Sequence, residues 1–318
     1  MSSKGVPPLF REDIKDMDPR YRQLRDDDHW REERGFCLEM WRRFHQYADR
    51  QFTSEFAREG QLHSRFWEMY LGYTMLELGK ELIETGEGKP DFRISDSGKT
   101  IWIEAVAPGK GTGDDAVPEG HIADLDEDSD HLDSNVPSEQ IILRFAQSVS
   151  EKINQYQKYI GAGSVHEDEP FLIALNGAEV GFNLLELVEC PRIVRSLLGI
   201  GLPQVDFNVG REDVEVVNRG FQYQPFVRKL SGRDVSTAVF INPANAGISG
   251  LIYSCVAVDR LRNFANKLAP FPLGKDFVLI HNPYAASPIK PGWLKRGREL
   301  MVEINIKRRW IEHSKGGE

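Results

Sequence analysis

Two carboxylates, the second set inside an apolar run, are the residues of this chain best suited to do chemistry. Asp91 follows Pro90 in "KPDF", and Glu104 lies within "IWIEAV". Between them stands Ser97-Gly98, a dipeptide suited to a two-residue hairpin turn because glycine accepts positive φ. With that turn, Asp96 pairs with Lys99, Ser95 pairs with Thr100, and Asp91 comes to face Glu104. Opposed residues hold their Cβ atoms roughly 4.5–5.5 Å apart, where like charges destabilise a sheet. A divalent cation would relieve that repulsion, and Mg²⁺ takes one or two carboxylates together with waters and phosphate oxygens. The alternative is that Asp91 caps the start of the strand while Glu104 meets an Arg or Lys from a helix. A one-residue change in loop length would make the two acids diagonal instead of opposed.

The elements that carry these acids can be read from spacing. Apolar residues at 66, 67, 70, 71, 75, 76 and 78 recur at helical intervals in "SRFWEMYLGYTMLELG", which predicts a helix over 64–79 with Gly79 as its C-cap. Two strand-like runs, 91–95 and 100–106, make the hairpin. Residues 137–160, "PSEQIILRFAQSVSEKINQYQKYI", predict a long amphipathic helix with Ser138 as its cap. A strand "FLIALN" follows at 171–176, and 236–242, 250–258 and 276–282 are further strand candidates. The fold class expected is α/β, with helices covering a central mixed sheet.

That order, joined to "KPDF" and the acid of "IWIEAV", resembles the PD-(D/E)XK, or restriction-endonuclease-like, nuclease superfamily over residues 64–176. The resemblance implies a core of helix, three antiparallel strands, helix and strand. It also implies Mg²⁺ or Mn²⁺ at Asp91 and Glu104, with Glu68 of the first helix assisting, and Glu77 competing for that role. The family pattern has lysine two residues after the second acid, and this chain has Val106 there. Lys110 lies about 13 Å further along an extended strand at about 3.3 Å per residue, and Lys99 sits in the turn at the far end of the hairpin. Lys152 is the better candidate. With Val149 at zero on a helical wheel, the apolar face spans roughly −40° to +60° and Lys152 falls near −60°, at its rim. Arg144, Ser148 and Gln155 share that flank, so Arg144 and Gln155 are expected to contact phosphate or support the acids. Some members of the superfamily carry the catalytic lysine on this helix. The alternative for Lys152 is a rim lysine whose stem lies along the core.

Composition bounds the rest. The 318 residues carry 40 Lys and Arg against 49 Asp and Glu, a net charge of −9. Residues 114–133, "DDAVPEGHIADLDEDSDHLD", hold nine of the acids and no base, so the remainder is neutral. That segment reads as a solvated loop. Its acid spacing imitates an EF-hand, yet Ser129 and Asn135 stand where Gly and Glu are needed. The closing stretch, with Lys295, Arg296, Arg298, Lys307, Arg308 and Arg309, reads as a solvated helix face, with contact to phosphates as the alternative. "APGKGTGDD" lacks the spacing of a phosphate loop. His281 ends an apolar strand, where a satisfied turn histidine is expected. Cys37, Cys190 and Cys255 lie too far apart to suggest a disulfide framework or zinc site. No apolar run is long enough to span a membrane, and the amino end lacks a secretory core, so a cytoplasmic protein is expected.

Three regions are expected: an N-terminal helical extension over 1–60, a nuclease-like core over 61–180 containing the acidic loop 114–136, and a C-terminal α/β extension over 181–318 packed on the same core. The function expected is a metal-dependent phosphodiesterase or endonuclease acting on DNA, with a Mg²⁺-activated water held at Asp91 and Glu104. RNA is left open as a substrate, and a second copy or another protein as a partner. The alternative, motivated by Val106, is an inactive nuclease-fold module that binds nucleic acid or protein.

Overall fold

The computed structural model describes residues 5–119, 136–182, 190–209, 214–261, 273–305 and 310–315. Most of the acidic loop, and Lys307, Arg308 and Arg309, lie outside the described residues. The chain opens with three helices, α1 (Pro19–Asp26), α2 (Arg31–Phe44) and α3 (Phe52–Ala57), and these pack on α4 (Leu62–Glu77). Phe44, Phe52 and Phe56 are fully buried in that layer. Gly72 lets α2 approach α4 closely, because a Cβ there would stand 2.5 Å from the Phe44 ring. Gly79, at φ +75°, ends the helix as its sequence position implies.

The sheet follows as β1 (Glu81–Ile83), β2 (Phe92–Asp96), β3 (Lys99–Val106), then α5 (Ser138–Gly161) and β4 (Phe171–Asn176). Among the described residues, later elements include α6 (Arg192–Leu198), a hairpin of β5 (Ile200–Val209) and β6 (Val214–Tyr223), and a small pair of β7 (Phe226–Arg228) and β8 (Asp234–Ser236). The chain then returns to the main sheet with β9 (Gly250–Ser254), β10 (Val278–His281), β11 (Arg298–Asn305) and β12 (Trp310–Lys315). Among the described residues the result is an eight-stranded mixed sheet, ordered β1-β2-β3-β4-β9-β10-β11-β12. β1, β2 and β3 are antiparallel, and β3, β4 and β9 run parallel.

Strand alternation divides the core into two layers. Ile101, Ile103, Leu172, Ala174, Ile252 and Leu279 face the N-terminal helices. Trp102, Phe171, Ile173, Leu251, Tyr253 and Ile280 face α5 and α6. Trp67 ties α4 to the sheet by donating its indole N–H to the Ala174 carbonyl at 3.1 Å. Among the described residues no helix is long and apolar enough to cross a membrane.

Four local expectations are corrected. The strand expected over 250–258 ends at Ser254, and a short 3₁₀ turn follows at Val258–Arg260. The closing basic stretch is not a helix face among the described residues, because Lys295 and Arg296 stand in a bend and Arg298 opens β11. Residues 237–242 are not a strand: β8 stops at Ser236, and Thr237–Phe240 form a buried irregular segment. Its apolar run reflects burial, which periodicity alone cannot tell from a strand. Ser138 does not cap α5 either. Pro137 is the N-cap without a side-chain bond, and the Ser138 hydroxyl accepts from Arg192 Nε at 3.2 Å.

Candidate active site

The hairpin turns at Ser97-Gly98, both with positive φ, 53° and 80°. This is the backbone that lets a two-residue turn follow the right-handed twist of its strands. It fixes the register: Asp96 opposes Lys99, Arg93 opposes Trp102, and Phe92 opposes Ile103. The next step outward brings Asp91 opposite Glu104, just where the ladder stops. Pro90 has no N–H with which to continue it. In place of a ladder bond, Asp91 Oδ2 accepts the Ala105 N–H at 2.7 Å. The strand-start role weighed for Asp91 is therefore real, and so is its companion, a helix lysine bonded to Glu104.

Glu104 shares its sheet face with Trp102 and Ile173 and is only 5 % exposed. A carboxylate at a core position needs donors, and α5 supplies two. Lys152 Nζ donates to Glu104 Oε1 at 2.8 Å, and the Tyr159 hydroxyl donates to Glu104 Oε2 at 3.1 Å. Gln155 in turn hydrogen-bonds Tyr159. Burial, then the Glu104 charge, push the Tyr159 phenol above its ordinary range, so it stays a donor.

Between α4, the open end of β2 and β3, and α5 lies a cleft of about 180 Å³. Its lining includes Gln61 at the N-cap of α4, Ser64, Arg65 and Glu68 from α4, Asp91 and Val106 from the hairpin, and Lys152 from α5. Gln61 and these α4 residues recur at i, i+3, i+4 and i+7, a polar stripe along a helix otherwise largely buried. Glu68 is thus a cleft residue rather than a solvated one. Burial raises its carboxyl to about 7, against the opposing pull of Arg65. Asp91 is held well above the usual carboxylate range, first by burial, then by the Glu104 and Glu68 charges; the Ala105 amide and Lys152 only partly offset this.

The remaining sequence candidates sit elsewhere. Arg144 donates through Nε to the Gly109 carbonyl at 3.0 Å and supports the loop after β3; it is not among the residues lining the cleft. Glu77 pairs with Arg43 at 3.3 Å, near the opposite end of α4. Lys110 pairs with Glu119. His281 lies 3.3 Å from Glu299, as a satisfied histidine would. Tyr159 was missed, because aromatic spacing on α5 reads as core; its signal is a hydroxyl on the same helix flank as Gln155 and Lys152. The chain matches no family model, no curated protein and no solved structure.

Whether a divalent cation suits these residues can be judged from the donors. Among the described residues no group of three or more His, Cys, Asp or Glu side chains has metal-holding geometry. Mg²⁺, however, is commonly held by only one or two carboxylates, with water completing its octahedron. Asp91 Oδ1 accepts no hydrogen bond among the described residues. Each Glu104 oxygen accepts one bond and keeps a second lone pair. Hard oxygen donors and mutually repelling acids fit such an ion, for which the Lys152 ammonium competes at Glu104.

Proposed function

We propose that this chain is a metal-dependent phosphodiesterase, an endonuclease acting on DNA, with its chemistry at Asp91, Glu104 and Lys152. The observation that carries the reading is the Lys152 ammonium 2.8 Å from Glu104, beside the cleft that Asp91 lines. It puts a cation beside the acids where Val106 offers none. The element order α4, β1 to β3, α5, β4 supports the same reading.

Asp91 and Glu104 would hold Mg²⁺ or Mn²⁺. Such an ion, when bound, lowers the pKa of water and neutralises phosphate oxygens. The chain's own residues do the rest. Asp91 is oriented by the Ala105 amide, and Glu104 by Tyr159. Lys152 stands ready to transfer its hydrogen bond from Glu104 to a phosphate oxygen as negative charge grows there. Glu68, with a carboxyl at about 7, can accept or return a proton near neutral pH.

The test is incubation of the purified protein with plasmid DNA and Mg²⁺ or Mn²⁺. The expected result is cleavage that Asp91→Ala and Glu104→Ala each reduce by more than about a thousandfold. Cleavage that survives both substitutions would refute the assignment. The inactive binding module motivated by Val106 predicts no cleavage by the wild-type chain under any of these conditions.

A further inference from the structure

Glu68 does not stand alone in the cleft. Arg65 Nη1 lies 2.5 Å from Glu68 Oε2 and 3.0 Å from Asp49 Oδ2. Arg65 Nε donates to Glu55 Oε2 at 2.9 Å, and Nη2 also pairs with Glu55. The Phe52 ring lies under the guanidinium, its centroid 5.5 Å away. One planar fork thus gathers three carboxylates from three places: the turn after α2, helix α3, and the next turn of α4 itself. Planar five-donor geometry allows this, and a lysine ammonium offers only a compact point charge in its place.

Arg65 lines the cleft, so a direct grip on a substrate phosphate is the obvious role for it. The charge balance argues against that. Three acids surround one guanidinium, and its side chain is only 18 % exposed. A phosphate would have to displace carboxylates already bound in good geometry.

We propose that Arg65 is a positioning residue, which holds the Glu68 carboxyl group at the cleft and makes its placement depend on Asp49 and Glu55 of the N-terminal helical layer. The N-terminal helices thereby complete the site instead of merely covering the sheet. The inference rests on the metal-dependent reading of Asp91 and Glu104. Without Arg65, no cation would tie Glu68 to Asp49 and Glu55, and the Glu68 carboxyl group would lose the contact that fixes its place at the cleft. A displaced Glu68 would no longer support a cation at Asp91 and Glu104, and cation affinity would fall. Residues that orient the groups around a metal site typically change affinity about 10–100-fold when removed.

The experiment is calorimetric titration of MnCl₂ into the full-length chain, without substrate, as a double-mutant cycle of Arg65→Gln and Glu68→Gln. Arg65→Gln is expected to weaken Mn²⁺ binding about 10–100-fold in the wild-type background and less than about threefold in the Glu68→Gln background. Equal losses in both backgrounds, or no loss in either, would overturn the proposal while leaving the metal-dependent reading intact. A wild-type chain that binds no Mn²⁺ would overturn both. Should Arg65→Gln fail to fold, Glu55→Gln gives the same decision. It is expected to weaken Mn²⁺ binding severalfold only when Glu68 is present, whereas a merely structural Glu55 would lower Tm and leave the affinity alone.

Discussion

Two buried acid sites in this molecule differ in a way that separates structure from chemistry. Asp276 accepts hydroxyl bonds from Tyr70 at 2.8 Å and Ser254 at 2.5 Å, and backbone hydrogen bonds add to these. Among the described residues, no other acid is a cause of its raised carboxyl. Asp91 and Glu68 line one cleft with Glu104 buried beside it, and both Glu104 and Glu68 raise the carboxyl of Asp91. Burial is the leading cause of the raised carboxyl at both Asp276 and Asp91, so a raised pKa does not distinguish them. What distinguishes them is the company: donors alone around one, like charges and an opening in addition to donors around the other. The first arrangement is satisfied as it stands, and the second asks for a cation.

Opposite responses to charge removal would sharpen the contrast. Asp276→Ala takes an acceptor from two hydroxyls in the core and is expected to cost about 2–4 kcal/mol, read from urea unfolding. Asp91→Asn keeps an oxygen for the Ala105 N–H while relieving the repulsion, and should stabilise the cation-free protein by about 1 kcal/mol. Destabilisation by both would erase the distinction.

The pH dependence of stability offers a smaller effect. Glu68 has a folded value of about 7 against an ordinary 4.5, so the folded state binds its proton more tightly than the unfolded state does. Its contribution to stability is present below about 4.5 and is lost as pH rises towards 7. Urea unfolding in EDTA should show Glu68→Gln removing roughly 1–3 kcal/mol of that decline. A pH profile unchanged by the substitution would mean that Glu68 is not the crowded, buried group described above.

Much of this site was legible before any coordinates. Ser97-Gly98 set the turn, the turn set the register, and the register brought Asp91 opposite Glu104. The wheel put Lys152 at the rim of α5, which is where a long side chain reaches Glu104. What stayed hidden depends on packing between elements distant in sequence. Arg65 meets Asp49 and Glu55 only because α3 lies against α4. The irregular segment after Ser236 is apolar because it is buried, and its composition alone imitates a strand. The stripe Gln61, Ser64, Arg65 and Glu68 was present at helical spacing, but a polar face on a helix usually meets water.

The central claim is that Lys152 supplies from α5 the ammonium that Val106 does not supply from β3. Single-turnover cleavage of plasmid DNA, comparing wild type, Lys152→Ala and the double variant Lys152→Ala/Val106→Lys, tests it most directly. A fall of about 100-fold or more in Lys152→Ala, with substantial recovery in the double variant, is the result predicted. Undiminished cleavage by Lys152→Ala would contradict it.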